Sequence, residues 1–292
     1  MNGAVFEAER PRLRGLAYRM LGTISDVDDV VQDAWLRWQA VDLDALDRPE
    51  AWLTTVTTRL CLDRIRAARR RREEYIGPWL PEPLVSDGGP EQAAELADSL
   101  TLGFLTVLDR LGPVERAVFL LADVFAVPYA EIAETVGKSE AACRQVASRA
   151  RARLRGAAPE GSAAERPAPP DRRLVDELVL AIGRGDIAGV LARLAPDAVC
   201  VTDGGPTRRA ARRPVVGAPR VARFLVNLTH RYGGAMSLRP VTINGDAGVM
   251  ISLDGVVDMV AAFETQAGRV HAIRIVRNPD KLGHIGDEMT LV

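Results

Sequence analysis

Apolar residues recur every three or four positions through most of the first half of the chain. In Ser25–Gln39, Val27, Val30, Val31, Ala34, Trp35 and Trp38 share one face, and Asp26, Asp29, Gln32 and Asp33 lie opposite. That spacing predicts an amphipathic helix. In Ala51–Glu73, Leu53, Val56 and Leu60 form one face, while Trp52, Thr55, Arg59 and Arg66 form another. Residues 1–76 read as a helical domain, interrupted by proline only at Pro11 and Pro49. "GPWLPEPLVSDGGPEQ" (77–92) is rich in proline and glycine and reads as a linker. Helical periodicity resumes over 93–156, and a second, Pro/Ala-rich linker is expected at 157–170.

From Asp171 the period changes. "DRRLVDELVLAIGRGD" and Gly217–Tyr232 read as amphipathic helices, the first ending near Gly183 or Gly185. Apolar runs at 198–203, 238–243, 248–253, 256–263 and 269–276 read as strands. The last four are separated by Asn244-Gly245, Asp254-Gly255 and Ala267-Gly268, which are hairpin signals. Residues 171–292 are therefore expected to form an α+β domain with helices packed on an antiparallel meander.

Composition narrows the partners little. The 292 residues are 47% hydrophobic, 26% charged and only 5% aromatic, with net charge −1. Local charge carries more information. Cys61, Cys143 and Cys200 are far apart and lack metal-ligand spacing, so they read as buried small hydrophobes in a reducing compartment. No metal and no cofactor is expected. The first twenty residues lack a signal-peptide apolar core, and no long apolar run is present; a cytoplasmic protein without a membrane partner is expected.

Two segments carry candidate chemistry. Counting from Tyr129, Ile132, Ala133 and Val136 line one helix face, Gly137 marks a turn needing positive φ, and Ser139 caps a second helix. Cys143 and Val146 face back, leaving Ser139, Glu140, Ala142, Arg144, Gln145 and Arg149 outward. This is the pattern of a helix-turn-helix whose second helix enters a major groove. Arg149, Arg151, Arg153 and Arg155 follow where phosphates would lie. The alternative is a core hairpin with a solvated basic face. In the second segment, seven arginines and one acid lie between Arg59 and Arg72. Trp52, Thr55, Arg59 and Arg66 on one face suit unpaired bases and their backbone; the alternative makes Trp52 simply core. Taken alone, Ser25–Gln39 reads as a solvated acidic face over a tryptophan core.

On these residues the chain resembles bacterial sigma factors of the extracytoplasmic-function group. "AYRMLGTISDVDDVVQDAWLRW" and "AWLTTVTTRLCLDRIRAARRRRE" are similar to their region 2. "LDRLGPVERAVFLLADVFAVPYAEIAETVGKSEAACRQVASRARARL" is similar to their region 4. "WLPEP", the appended α+β domain and "NPDKL" point to the subgroup with a SnoaL-like domain of the NTF2-like fold. The resemblance implies that Asp29, Gln32 and Asp33 dock on the β′ clamp helices of core RNA polymerase. It implies that Trp52, Thr55, Arg59 and Arg66 act at the melted −10 promoter element, and that Ser139, Arg144, Gln145 and Arg149 read the −35 element. It further implies that polymerase β and promoter DNA are partners. The C-terminal extension would regulate the factor through interdomain contacts, in place of a separate anti-sigma protein. Those contacts would involve Trp79, Leu80 and Pro81, then Asp203, Gly204 and Gly205, then Asn278, Pro279, Asp280, Lys281 and Leu282. The subgroup's Asp-Gly-Gly-Gly-Lys loop is here "DGGPTRR" (203–209), so a role for its last glycine and lysine is in doubt.

A non-enzymatic role is expected. Asp258 and His271 interrupt apolar strands and are candidate pocket residues for a small ligand or isomerase-like chemistry. His271 alternates onto the face of Ile273 and Ile275. The favoured reading makes Asp258 a paired or edge carboxylate and His271 a hydrogen-bonded core residue. A conventional dimeric repressor is the remaining alternative, disfavoured by the single helix-turn-helix and the two-module layout.

Overall fold

Gly22, with φ 74°, turns one long helix into the next. The computed structural model describes residues 2–42, 46–73, 75–86, 101–157, 171–229 and 236–287. The chain divides into two compact units, residues 1–73 with 105–164 and residues 74–104 with 165–292.

In the first unit, α1 (Asn2–Leu21), α2 (Ile24–Gln39) and α3 (Pro49–Glu73) pack as a bundle. Its core contains Phe6, Leu13, Leu16, Met20, Val30, Trp38 and Leu53, all at most 1% exposed. The predicted α2 stripe is buried apart from Trp35, which is half-buried with its ring 4.9 Å from that of Phe6. The same unit holds α4 (Leu102–Leu108) from Leu105 onward, α5 (Pro113–Phe119) with a π turn at Leu120–Val124, α6 (Tyr129–Val136) and α7 (Glu140–Ala157). Ile132 and Cys143 are fully buried between α6 and α7, and Val146 nearly so. Gly137 ends α6 in the left-handed conformation at φ 68°, as its place in the sequence requires.

The two halves of this unit meet through polar groups. Arg116 is buried; its guanidinium donates to the carbonyls of Met20 (2.8 Å) and Leu108 (3.1 Å) and pairs with Asp109. Arg12 and Arg19 lie over the Phe125 ring, 5.5 and 5.3 Å from its centroid.

The second unit is built on a seven-stranded sheet. Its strands are β1 (Val85–Ser86), β2 (Leu194–Asp203), β3 (Val215–Val216), β4 (Met236–Ile243), β5 (Asp246–Leu253), β6 (Val256–Gln266) and β7 (Arg269–Val276). The order is β1-β4-β5-β6-β7-β2-β3; β2 runs parallel to β7 and all other pairs are antiparallel. The three predicted hairpins form, with both central residues of each turn at positive φ. Helices α8 (Arg172–Gly183), α9 (Ile187–Arg193) and α10 (Ala218–Thr229) cover one face, burying Val175, Leu178, Val221, Leu225, Phe263 and Ile273.

The other face is covered by segments that carry little regular structure. Leu80, Leu102, Leu282 and Ile285 pack there against Ile243, Met250, Val260 and Val276. Residues 77–86, which composition assigns to a linker, thus belong to the core of this unit, and Val85–Ser86 adds an edge strand to β4. Proline removes a backbone donor and so interrupts regular hydrogen bonding, but it does not preclude packing. A 3₁₀ turn (Pro279–Lys281) and the short α11 (Gly283–Asp287) complete the cover. Residues 87–92, the first residues of the expected helical stretch (93–100), the 157–170 linker beyond Ala157 and the end of the Gly217–Tyr232 helix beyond Thr229 lie outside the described residues.

Candidate nucleic-acid interface

The second helix of the helix-turn-helix presents the expected residues. Ser139 Oγ accepts from the Ala142 amide at 3.2 Å, which caps α7. Ser139, Arg144, Gln145 and Arg149 are exposed. Arg144 donates to Glu140 at 2.6 Å and lies 5.2 Å from the Tyr129 ring centroid. The arginines that follow are not all free. Arg151 pairs with Asp123 at 2.8 Å and Arg153 with Glu115 at 2.6 Å, so these two brace α7 within the unit.

The α3 face is engaged differently. Trp52 is half-buried, its ring 5.7 Å from that of Trp38, so it both packs and shows an edge. Thr55 Oγ1 lies 2.9 Å from Thr135 Oγ1. Arg59 donates to the carbonyl oxygens of Thr135 (3.1 Å) and Glu134 (2.8 Å). These carbonyls end α6, where backbone acceptors lack partners within the helix and the dipole favours a cation. Arg48 pairs with Glu131 on the same helix. Arg66 is exposed and bonded to Asp63 at 3.0 Å. Beside this contact, Arg59, Asp63, Arg66, Val136 and Gly137 line a cavity of about 310 Å³. The structure therefore brings two of the four α3 residues against the first helix of the helix-turn-helix. Thr135, Glu134 and Glu131 are partners that the sequence did not single out; the threonine could have been found as a buried polar residue on an otherwise apolar face.

On α2, Asp29 and Gln32 are exposed and Asp33 half-exposed. Arg64 of α3 reaches Asp29 at 2.9 Å, Asp26 at 3.5 Å and Asp33 at 3.7 Å, which partly neutralises this face. Leu36, one turn beyond Gln32, is 55% exposed and adds an apolar contact that the pattern did not flag.

In the second unit the motif residues converge on one buried ion pair. Asp203 is fully buried and accepts from Lys281 Nζ (2.7 Å), the Leu80 amide (2.8 Å), the Gly205 amide (3.0 Å) and the Tyr75 hydroxyl. Lys281 also donates to the Leu80 carbonyl and sits 4.1 Å from the Trp79 ring centroid. The peptide groups at Leu80 are thus held from both sides by opposite charges. Asn278 caps the 3₁₀ turn and donates to Tyr75 at 3.0 Å. Burial, followed by the Asp203 carboxylate, pushes the Tyr75 phenol above its ordinary pKa. Gly205 adopts φ 59°, and a Cβ there would come within 2.5 Å of Asn278. A Cβ at Gly204 would meet the Arg208 carbonyl oxygen at 2.4 Å. Pro81 and Leu282 are buried, whereas Pro279 and Asp280 face outward. Farther along, His284 Nε2 lies 2.9 Å from the Pro83 carbonyl, and the Leu84 amide donates to Asn244 at 3.0 Å. The departures from the subgroup loop, Pro206 and Thr207, are exposed and take no part in this clasp.

Asp258 is buried and paired with Arg277 at 2.8 Å, with Arg208 at 3.8 Å. Both of its oxygens thus face guanidinium groups. His271 is only half-buried. Register shifts on both sides of β7 place it at a bulge, where pairing passes from Val270 to Ala272. The alternation that would align it with Ile273 and Ile275 is broken, and Val270 joins them in the core instead. Among the described residues no group of His, Cys, Asp and Glu could hold a metal ion, and no helix is long and apolar enough to cross a membrane. The three cysteines are buried and unpaired with one another.

Residues 5–71 match the family model for sigma-70 region 2, and residues 102–154 that for sigma-70 region 4. The ECF RNA polymerase sigma factor SigJ of Mycobacterium tuberculosis is 40% identical over 295 residues, covering 96% of this chain and 93% of that protein. A probable ECF RNA polymerase sigma factor SigI of the same species is 32% identical over 292 residues, covering 98% and 96%. The crystal structure of the M. tuberculosis SigJ protein matches with a TM-score of 0.78 at 37% identity, covering 96% of this chain and 98% of that one.

Proposed function

The chain belongs to the ECF RNA polymerase sigma factors, which direct promoter-specific transcription initiation, and we propose that its promoter-reading face on α3 is held in reserve by its own helix-turn-helix. The observation that carries this reading is the bonding of Thr55 and Arg59 to Thr135 and Glu134. Those two α3 residues cannot make these bonds and also contact an opened promoter strand. Because the contact is polar and partly exposed, it is worth a few kcal/mol at most, within reach of a binding event that favours the separated form. Docking of Asp29, Gln32, Asp33 and Leu36 on the β′ clamp helices supplies that event. Trp52, Thr55, Arg59 and Arg66 then act at the −10 element, and Ser139, Arg144, Gln145 and Arg149 at the −35 element.

The clasp on Leu80 fixes the segment that joins the two reading modules in sequence. In this reading the C-terminal domain is a built-in regulator that acts through Trp79–Pro81, Asp203–Gly205 and Asn278–Leu282. The factor works in the cytoplasm without a separate anti-sigma protein, a cofactor or catalysis of its own. Run-off transcription with core polymerase tests the scheme. It compares the full chain, a chain ending at Ala158 and a chain lacking residue 278 onward. The full chain is expected to confer start-site choice, and the shortened chains to keep that choice while changing its yield. A full chain that joins polymerase and confers no start-site choice overturns the reading.

A further inference from the structure

From Gly204 to Gly245 the sequence contains eight arginines and no aspartate, glutamate or lysine, in a chain whose net charge is −1. In the first unit, arginines are largely matched by carboxylates of the same unit, as with Arg64, Arg144, Arg151 and Arg153. Here Arg209, Arg212, Arg213, Arg220 and Arg223 are exposed, and among the described residues no carboxylate pairs with any of them. Arg208 approaches Asp258 at 3.8 Å.

The backbone that carries these side chains is fixed. The β2–β3 loop is braced by Thr202 Oγ1, which accepts from the Ala211 amide at 2.7 Å, and by Arg277, which donates to the Arg209 carbonyl at 2.9 Å. On α10, burial of Val221, Ala222, Leu225 and Val226 turns Arg220 and Arg223 outward, three residues apart on one face.

We propose that the C-terminal domain carries a second nucleic-acid surface, made of the β2–β3 loop and the outer face of α10, that grips the phosphates of duplex DNA without reading sequence. Unpaired guanidinium groups bind phosphate oxygens two at a time, and a protein that neutralises several phosphates gains affinity by releasing counterions. Duplex is favoured over single strand because the described part of this surface has no exposed aromatic ring. Phe224, its one aromatic residue, packs against the apolar core, so unpaired bases have nothing to stack on. The proposal draws on the family reading only for the presence of DNA near the chain, and its test needs neither a promoter nor polymerase.

The experiment measures binding of the full chain to a short promoter-free duplex by fluorescence anisotropy across a salt series. Arg209→Gln, Arg212→Gln, Arg213→Gln, Arg220→Gln and Arg223→Gln are combined in one variant. Each lost phosphate contact lowers the steepness of log affinity against log salt by about 0.9, so the slope should fall by about 3–4 and low-salt affinity more than tenfold. Lysine at the same positions should restore most of the slope. In the unaltered chain, duplex should protect these arginines from a dicarbonyl reagent, a readout independent of whether the glutamine variant folds. An unchanged slope, equal reagent labelling with and without duplex, or stronger competition by single strand overturns the proposal. So does a variant that loses polymerase binding at unchanged duplex affinity, which assigns the surface to a protein.

Discussion

Asp246 is the residue whose ionisation costs the C-terminal domain most visibly. Its Oδ2 is buried without a hydrogen-bond partner among the described residues. Burial, reinforced by Glu264 and opposed by Arg274, pushes its pKa up to about 8. The folded state therefore holds this proton far more tightly than the unfolded chain, whose carboxyl titrates near 3.8. Between those values the unfolded state binds fewer protons, so stability is fully present below about pH 4, falls as pH rises and levels off above about 8. Asp246→Asn removes the penalty. The variant is expected to be more stable than the parent at pH 8, to differ least at pH 4 and to show a flatter profile between. Denaturant midpoints at a series of pH values measure this, and parallel profiles for parent and variant would refute it. The same scale explains a limit of sequence reading. Asp246 follows Asn244-Gly245, where an acid looks like an ordinary turn residue, and only the strand register brings Glu264 and Arg274 near it.

Among the elements, α6 has two roles that separable substitutions distinguish. It packs against α7, to which the −35 contact is proposed to belong, and its last carbonyls receive Arg59. Thr135→Val with Glu131→Gln loosens the second role and spares the side chains assigned to promoter contact. The hydroxyl pair and the exposed Arg48 ion pair together are worth about 1–2 kcal/mol, which moves a two-state equilibrium roughly five- to thirtyfold. The expected outcome is a larger α3–α7 separation in the free protein, read by energy transfer between labels on those helices, and more initiation at limiting polymerase. Unchanged separation would mean that α3 and α6 are held by other contacts. At this scale most of the architecture was legible. The 3.6-residue period gave α2, α3, α6, α7, α8 and α10, and the Asn-Gly and Asp-Gly pairs gave the meander, because local patterns encode local structure. The packing of residues 77–86 on the outer sheet face was not legible in periodicity or composition, and only the resemblance pointed to Trp79–Pro81, Asp203 and Lys281 as a contact set. Asn244 and His284, which also hold the segment, are distant in sequence and ordinary polar residues when read alone. The helix α9 was missed because seven residues, Ile187–Arg193, are too few to display a period.

Across the molecule, the division into two units implies that stability is not a single quantity. The clasp and Asp246 belong to one unit, and the α3–α6 contact to the other. Lys281→Met leaves Asp203 buried without its cation, and removing one partner of a buried pair costs about 3–5 kcal/mol. That loss should fall on the unit built around the sheet. Calorimetry of the full chain is expected to resolve two transitions. Lys281→Met should lower one of them, Asp246→Asn should raise that same one at pH 8, and Thr135→Val with Glu131→Gln should shift only the other. Adding Asp203→Asn to Lys281→Met should recover part of the loss, since the remaining partner is then neutral. A single transition that responds to all three changes would make the chain one cooperative body. In that case a substitution in the clasp would reach α3 and α7, the helices proposed to contact the promoter, through global stability, and its effect on transcription could not be assigned to the position of the linker. Two independent transitions would instead allow transcription and stability to be varied separately, which is the condition for testing the C-terminal domain as a regulator.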